Sequence, residues 1–279
     1  QRAIAIGYYA MHSSLATTTN DIAIGYQAMQ YRSSNTGDSI AIGSNAHRGD
    51  INQGYQNANR NVAIGSNALK DIETGGMQNT AVGWYTGENV TTGPYNTLIG
   101  SEAGQALTTG QINTLLGFRA GETITTGNYN VILGGYDGNE GGLDIRTSNS
   151  NIILSDGNGN IRMRINSSGN VGIGTTSPSA LLHLKSTATG STPSIIFENT
   201  NNAQNMNIDY WSNGGALQSR IQYAEGPASW NFIPNTSTSN SALYIAYDGK
   251  VGIGTSAVGI NTTGPALFFE IKPDPTIYS

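Results

Sequence analysis

Residues 79–129 consist of three consecutive 17-residue segments that share one layout. Residues 79–95 are NTAVGWYTGENVTTGPY, residues 96–112 are NTLIGSEAGQALTTGQI, and residues 113–129 are NTLLGFRAGETITTGNY. Each segment begins with Asn, reaches a glycine four residues later, and has Thr-Thr-Gly just before its last two residues. A fixed period of this length is typical of a repeat architecture.

A short apolar phrase that ends in glycine extends this repeat toward both ends of the chain. Its first copy is Ile4-Ala5-Ile6-Gly7 and its eighth is Val131-Ile132-Leu133-Gly134. Successive closing glycines are separated by 18, 18, 22, 18, 17, 17 and 17 residues. These glycines are Gly7, Gly25, Gly43, Gly65, Gly83, Gly100, Gly117 and Gly134.

The repeat predicts a β-solenoid or β-roll in which each phrase is a short strand. We expect the closing glycines at the corners, because glycine adopts a positive φ without steric cost. The residue before each glycine is Ile, Val or Leu, and we expect it to face inward. The residue before that one is Ala in the first five copies, and we interpret its small size as a place where another surface approaches closely.

The period ends near residue 150. Two apolar segments around the turn Asp156-Gly157-Asn158-Gly159 predict a hairpin. The phrase GNVGIGT at 169–175 returns as GKVGIGT at 249–255, and alternating segments between the two copies predict a small antiparallel β-sandwich knob. We therefore expect an all-β chain with a repeat solenoid at 1–150, a junction at 151–180, a knob at 181–256 and a C-terminal tail at 257–279.

The composition excludes several classes of protein. Charged residues are 11% and hydrophobic residues 37% of the 279, below the usual values of about 25% and ~45–50%. The net charge of −5 argues against nucleic acid as a partner, and no apolar run is long enough for membrane insertion. With no cysteine there is no disulfide and no thiolate metal site. We expect no cofactor and no bound metal.

The GNVGIGT phrase, with Pro178 and the Leu-rich residues after it, resembles the segments that join modules in bacteriophage tail fibres and tail spikes. The Ala-Ile-Gly repeats resemble both phage fibre shafts and the head repeats of trimeric autotransporter adhesins. The resemblance covers most of the chain. It implies an elongated homotrimer in the virion tail, which is assembled in the host cytoplasm and extracellular after release. The implied partners are further copies of the chain, other tail proteins, and a bacterial surface polysaccharide or outer-membrane receptor.

The last residue, Ser279, has a meaning within this resemblance. Many phage fibres carry an intramolecular chaperone that trimerises the chain and then cuts itself off just after a serine. The resemblance therefore implies that Ser279 is a processing site, whose catalytic groups belong to a chaperone domain absent from this sequence. The alternative is that Ser279 is an arbitrary end point.

Aromatic residues concentrate in the predicted knob and are the best candidates for receptor binding. Tyr and Trp combine an apolar ring face with a polar tip, which suits stacking on sugars and hydrogen bonding to hydroxyls. The alternative is that several of them form the core of the knob. Tyr210 and Trp211 are adjacent in a predicted strand, so we expect one of them at the surface or at a subunit interface. The candidates are Tyr210, Trp211, Tyr223, Trp230 and Tyr247.

Few residues could carry covalent chemistry, and we expect no catalytic residue. His12 and His47 follow repeat phrases and are expected in loops or corners. Glu88 and Glu122 each follow a second repeated glycine, Gly87 or Gly121, which is also expected at a corner, so solenoid stacking would align acids along one edge. Paired carboxylates could hydrolyse a glycan, but we interpret these acids as a solvated edge.

Taken together, the sequence favours a phage tail fibre protein that binds a receptor and attaches the virion to a bacterial surface glycan or outer-membrane component. Three copies per fibre and several fibres per particle would raise avidity without strong single sites. The alternatives are a bacterial trimeric adhesin, a polysaccharide depolymerase tail spike, and a purely structural tail module.

Overall fold

The computed structural model describes residues 3–12, 20–31, 37–49, 58–186 and 195, together with strands at 206–211, 217–224, 229–234, 243–246 and 251–253. Every regular element in these ranges is a β-strand, and the described residues contain no helix able to cross a membrane. The chain divides into two compact units, residues 1–194 and 195–279. The predicted boundaries at 150, 180 and 256 stay a prediction.

The first unit is a β-solenoid, as the repeat predicts. Its first eight strands pair in parallel with each repeat phrase in register, so that Ala81 lies opposite Leu98 and Leu98 opposite Leu115. Seven coils therefore separate the first strand from the eighth. The strands β1 to β8 are Ile4–Ile6, Ile22–Ile24, Ile40–Ile42, Val62–Ile64, Thr80–Val82, Thr97–Ile99, Thr114–Leu116 and Val131–Leu133.

The same sheet continues beyond the repeats to a total of 12 strands. The predicted hairpin is present: its first strand pairs in parallel with β8 and its second strand is antiparallel to the first. Asp156 closes the turn, because its Oδ1 accepts hydrogen bonds from the backbone N–H groups of Asn158 and Asn160 at 3.0 Å. The remaining strands of this unit are β9 (Asn139–Glu140), β10 (Leu143–Asp144), β11 (Ile152–Ser155), β12 (Ile161–Ile165), β13 (Val171–Ile173) and β14 (Leu182–Leu184).

From β2 onward the middle residue of each repeat strand, and not the residue before the glycine, is buried inside the coil, whereas all three residues of β1 are exposed. Ala81 and Leu98 are fully buried, whereas Ile6 and Ile99, each just before a glycine, are 58% and 42% exposed. The prediction of an inward residue before the glycine is therefore wrong. In a strand of three residues the first and third side chains share one face, and that face lies outside the coil. The buried middle residues are Ala23, Ala41, Ala63, Ala81, Leu98, Leu115, Ile132 and Ile153.

Alanine stands at the middle of the early strands because a large side chain from the turn shares the same interior. Met29, His47 and Leu69, each four residues after a corner glycine, are fully buried. From Gly87 onward this turn position is glycine, and from β6 onward the strand residue is leucine or isoleucine. Ala81 and Gly87 share the coil between the two patterns, where Leu69 and Leu98 of the neighbouring coils lie close to Gly87. A Cβ added at Gly104 would lie 3.1 Å from methyl groups of both Leu98 and Leu115. The interior is thus filled by large side chains from the turn in the early coils and by large side chains from the strand in the later coils. This packing, and not the close approach of another surface, explains the alanines.

The corner glycines form a column in which neighbouring coils touch through their backbones. Their φ angles lie between 112° and 142°, a region that residues with a Cβ rarely adopt. Space is the second constraint, since a Cβ on Gly100 would lie 2.2 Å from the carbonyl oxygen of Gly117. Glycine is therefore required at this corner both by conformation and by packing.

A ladder of buried asparagines joins the coils on the inside. The Oδ1 atom of Asn96 accepts the backbone N–H of Asn113 at 2.9 Å, and the Oδ1 atom of Asn113 accepts that of Asn130 at 2.9 Å. The Nδ2 atom of Asn113 donates to the Oδ1 atom of Asn96 at 3.0 Å and to the carbonyl of Gly127 at 2.9 Å. Buried amides that are fully paired in this way fix the register of each coil on the next. The ladder comprises Asn61, Asn79, Asn96, Asn113, Asn130 and Asn151.

Arginine closes the ladder where the repeat ends. Arg164, on β12, donates from Nη2 to the Oδ1 atom of Asn151 at 2.8 Å and from Nη1 to the carbonyl of Thr176. The Oδ1 atom of Asn151 thereby accepts from a charged guanidinium, where the other ladder asparagines accept from the backbone N–H of the next coil.

The described residues of the second unit form a single five-stranded antiparallel sheet in which each strand pairs with the next along the chain. The alternating segments predicted at 206–211, 216–223, 229–233 and 242–246 each coincide with a strand to within one residue at either end. The segment predicted at 194–198 lies outside the described residues except for Ile195. The second sheet that a sandwich requires stays a prediction. The strands are β15 (Met206–Trp211), β16 (Leu217–Ala224), β17 (Ser229–Pro234), β18 (Leu243–Ala246) and β19 (Val251–Ile253).

Replacing a corner glycine tests the backbone contact between coils. We expect Gly100→Ala to lower the free energy of unfolding by about 3 kcal/mol or more, because its Cβ overlaps the carbonyl of Gly117 at an unfavourable φ. The measurement is thermal and urea unfolding followed by circular dichroism. Gly157→Ala is the control, since nothing lies within 4 Å of a Cβ built there. Equal effects of the two substitutions would contradict the corner argument.

Replacing a ladder asparagine tests the buried amide network. We expect Asn113→Ala to destabilise the chain by roughly 2–4 kcal/mol, because it leaves the N–H of Asn130 and the carbonyl of Gly127 without their partners. Asn128→Ala is the matched control, because Asn128 also bridges two coils but is only half-buried. We expect it to cost less than ~1 kcal/mol in the same urea titration. If Asn128→Ala lowered the free energy of unfolding as much as Asn113→Ala, burial of the ladder would not contribute to stability.

Candidate interaction surfaces

The outer face of the parallel sheet is an uncharged, largely apolar surface. Each strand contributes its first and third side chains, which form two columns along the stack. The first column is Ile4, Ile22, Ile40, Val62, Thr80, Thr97, Thr114, Val131 and Ile152, and the second is Ile6, Ile24, Ile42, Ile64, Val82, Ile99, Leu116, Leu133 and Leu154.

These columns remain accessible in the single chain. Ile4, Ile99, Leu133 and Ile152 are between 39% and 50% exposed, and the other members are half-buried or exposed. Nine strands at a spacing of ~4.8 Å make the face roughly 38 Å long, and two side chains of width give it about 400 Å². A continuous apolar patch of this size on a single chain is typical of an interaction site.

A second exposed surface follows the corner glycines, where the next residue of each coil forms a further column. Two tyrosines of adjacent coils, Tyr8 and Tyr26, stack with ring centroids 5.8 Å apart and planes within 10°. Farther along, Trp84 is 52% exposed and Phe118 is 59% exposed, with Ser101 on the coil between them. The sequence contains these residues at a fixed offset from the glycines, but the prediction concentrated on the aromatics of the second unit.

The neighbouring column, two residues after each glycine, is polar at the same coils. It contains Tyr85, Glu102 and Arg119, and its backbone is held in register by hydrogen bonds from Glu102 N to Trp84 O at 2.8 Å and from Arg119 N to Ser101 O at 2.9 Å. The indole of Trp84 packs against Tyr85 with ring centroids 4.1 Å apart.

One arginine holds two carboxylates at this corner. The Nε atom of Arg119 hydrogen-bonds to Glu122 and lies 3.5 Å from Oε2 of Glu102. Hydrogen bonding to Glu122 and the charges of Glu122, Glu102 and Asp137 raise the pKa of Arg119. The carboxylates outnumber the single guanidinium, so the local charge is negative.

The acids predicted to align along one edge are in part engaged in ion pairs. Glu88 accepts a hydrogen bond from Nζ of Lys70 at 2.6 Å and another from Nε2 of Gln105 at 2.9 Å. Among the described residues, no group of three or more His, Cys, Asp and Glu side chains is arranged to hold a metal ion. Glu88 is buried, so the interpretation of these acids as a solvated edge is wrong for it. Glu102 and Glu122 are half-buried beside Arg119.

His47 lies in a turn, as expected, but its side chain is fully buried. The Nδ2 atom of Asn61 lies 2.9 Å from Nε2 of His47, while the Oδ1 atom of Asn61 accepts the backbone N–H of Asn79. This arrangement makes Nε2 of His47 the acceptor, so the imidazole belongs to the interior of the solenoid.

The predicted receptor-binding residues belong to the second unit. Tyr223 and Trp230 lie directly opposite each other on β16 and β17. Tyr210 and Trp211 end β15, where a register shift between them interrupts the regular pairing with β16. Tyr247, like Ser279, lies outside the described residues. The binding and processing roles of these residues stay predictions.

Neither a protein-family model nor a curated protein matches the chain. The β-solenoid is consistent with the shaft of a tail fibre or tail spike.

Proposed function

We propose that this chain is part of a homotrimeric bacteriophage tail fibre that attaches the virion to a bacterial surface glycan or outer-membrane component. The observation that carries the proposal is the uncharged outer face of the β1–β8 sheet, which continues onto β11. A shaft that acts alone has no use for an apolar face of this length, because such a face favours association in water.

The partner for this face is a second and a third copy of the same chain. The face presents the same two columns at every coil, so copies related by rotation about an axis parallel to the stack bring matching columns together. No charged side chain stands in either column of β1–β8, so no ion is desolvated when they meet. The apolar surface continues at Ile173 and Leu182, which are 46% and 53% exposed.

The receptor contacts in this proposal come from surfaces that the shaft holds in threefold array. We assign the second unit as the sandwich knob, with Tyr210, Trp211, Tyr223, Trp230 and Tyr247 as its receptor-binding candidates. Weak sites repeated on three chains and on several fibres give strong attachment by multivalency. The low charge of the chain, 31 charged residues of 279, favours contacts with neutral glycans.

A polysaccharide depolymerase is less well supported by the surface acids. A retaining or inverting glycosidase needs one protonated and one ionised carboxyl group across a sugar. Glu102 and Glu122 instead share the single guanidinium of Arg119, so they form an ion-pair cluster and do not face each other across an open groove.

The outer face predicts the mass of the assembly. We expect the chain to have a molar mass near three times 29.2 kDa by light scattering, and Ile99→Lys to reduce it toward 29.2 kDa, because a lysine in the apolar column would be buried without a partner. Ile112→Lys is the matched control, since Ile112 is 45% exposed but lies outside the outer face of the sheet. A monomeric native chain at micromolar concentration would overturn the assignment of this face.

Attachment is tested on intact cells. We expect fluorescently labelled trimer to bind a bacterial strain within a panel of diverse surface polysaccharides, and to lose that binding after periodate oxidation of the cells. Protease treatment of the cells is the control, and loss of binding there would point to an outer-membrane protein. Release of reducing sugar from the polysaccharide would favour the depolymerase. Absence of binding to every strain would count against the attachment function while leaving the trimer intact.

A further inference from the structure

We propose that the corner column at Trp84, Ser101 and Phe118 is a binding site for a linear, neutral oligosaccharide, in addition to any receptor site of the second unit. The inference rests on the proposed attachment to a bacterial glycan and gives that attachment a location on the shaft. It assigns the two aromatic rings as stacking platforms and the adjacent polar column as the source of hydrogen bonds.

The spacing of the rings suits a sugar chain that runs along the solenoid. Trp84 and Phe118 occupy the same position two coils apart, and two coils at ~4.8 Å separate their backbones by about 10 Å. That separation is close to the length of a disaccharide. Alternate sugar rings of a linear chain can therefore rest on the two aromatic rings, while the small side chain of Ser101 leaves room for the ring between them.

The exposure of these rings is not explained by the solenoid itself. Serine fills the same position at Ser44, Ser66 and Ser101, and the coils stack equally well there, so neither Trp84 nor Phe118 is needed for the fold. Both rings are more than half exposed. A large aromatic ring in water at a position where serine suffices is typical of a binding contact.

The polar column supplies groups that match sugar hydroxyls. Tyr85 provides a phenolic hydroxyl, Glu102 a carboxylate acceptor and Arg119 guanidinium donors, all on the coils that carry the two rings and the serine between them. The ion pair of Arg119 with Glu102 and Glu122 orders these side chains before a ligand arrives. Hydrogen-bonding groups that are already ordered lose less entropy on binding.

The charge at this corner selects the class of sugar. Glu102, Glu122 and Asp137 surround Arg119, so carboxylates outnumber the cation. Uronic acids and sialic acids would be repelled, whereas neutral hexoses and N-acetylated hexosamines carry no charge that conflicts with the site. The apolar face of a neutral pyranose is also the surface that stacks best on Trp and Phe.

The test uses the full chain and defined oligosaccharides. Binding of cellohexaose, maltohexaose and the hexamer of N-acetylglucosamine is measured by titration calorimetry, with hexagalacturonate as the acidic comparison. We expect at least one neutral hexasaccharide to bind with a Kd below millimolar and hexagalacturonate to bind at least tenfold more weakly. We expect Trp84→Ser and Phe118→Ser each to raise the Kd for the neutral hexasaccharide at least tenfold.

The serine variants reproduce the residue that other coils have at this position, so they are expected to keep the fold and the light-scattering mass. Tyr129→Ser is the matched control, because Tyr129 is 49% exposed but lies outside the corner column. We expect it to change the Kd less than twofold.

Three results would overturn the proposal: no neutral hexasaccharide binds, the serine variants bind as tightly as the native chain, or the serine variants lose self-association. The last result would make this column part of the contact between copies. If trimers of the double serine variant still attach to cells, the proposed attachment stands and its receptor site lies elsewhere on the chain.

Discussion

The structure depends on the approach of one coil's backbone to the next at the corner glycines. A carbonyl oxygen of the following coil occupies the space that a Cβ would need, at Gly100 and at the equivalent glycines. This contact turns the chain at the same point in each coil, so the three-residue strands stay in parallel register. The in-register strands then place the asparagines above one another, and the ladder of amides maintains the stack from within. The outer face and the corner columns are consequences of this register.

The repeat architecture could be predicted from the sequence because it depends on spacing alone. The recurrence of Gly83, Gly100 and Gly117 at intervals of 17 residues indicates stacked coils without any knowledge of side-chain packing. Which side chains of each strand point into the coil could not be predicted in the same way. Ile and Val occupy the outer positions while Ala occupies the interior, so hydrophobicity alone points to the wrong face. The sequence does not show that the turn side chains of Met29, His47 and Leu69 fill the interior opposite the alanines.

The interaction surfaces were also hard to predict for a physical reason. Binding aromatics are sought where aromatics are dense, and in this sequence that is the second unit. Trp84 and Phe118 stand 34 residues apart in the chain, and only the stacking of coils brings them into one column with Ser101. The sequence does show that both follow a corner glycine. Their exposure could be obtained only from the structure, because burial at that position depends on which way the corner turns.

The arginine that closes the asparagine ladder determines where the stack stops. Each side-chain amide in the ladder points its oxygen toward the following coil, so the stack has a polarity and would offer Asn151 as an acceptor to any further strand. Arg164 occupies that acceptor, and the antiparallel pairing of β11 with β12 ends the parallel stack at the same place. Because this terminus is independent of how many coils precede it, gene duplication or deletion of single 17-residue units would lengthen or shorten the rod in increments of ~4.8 Å. The length of the solenoid can therefore change in discrete steps without redesign of the end that Arg164 closes.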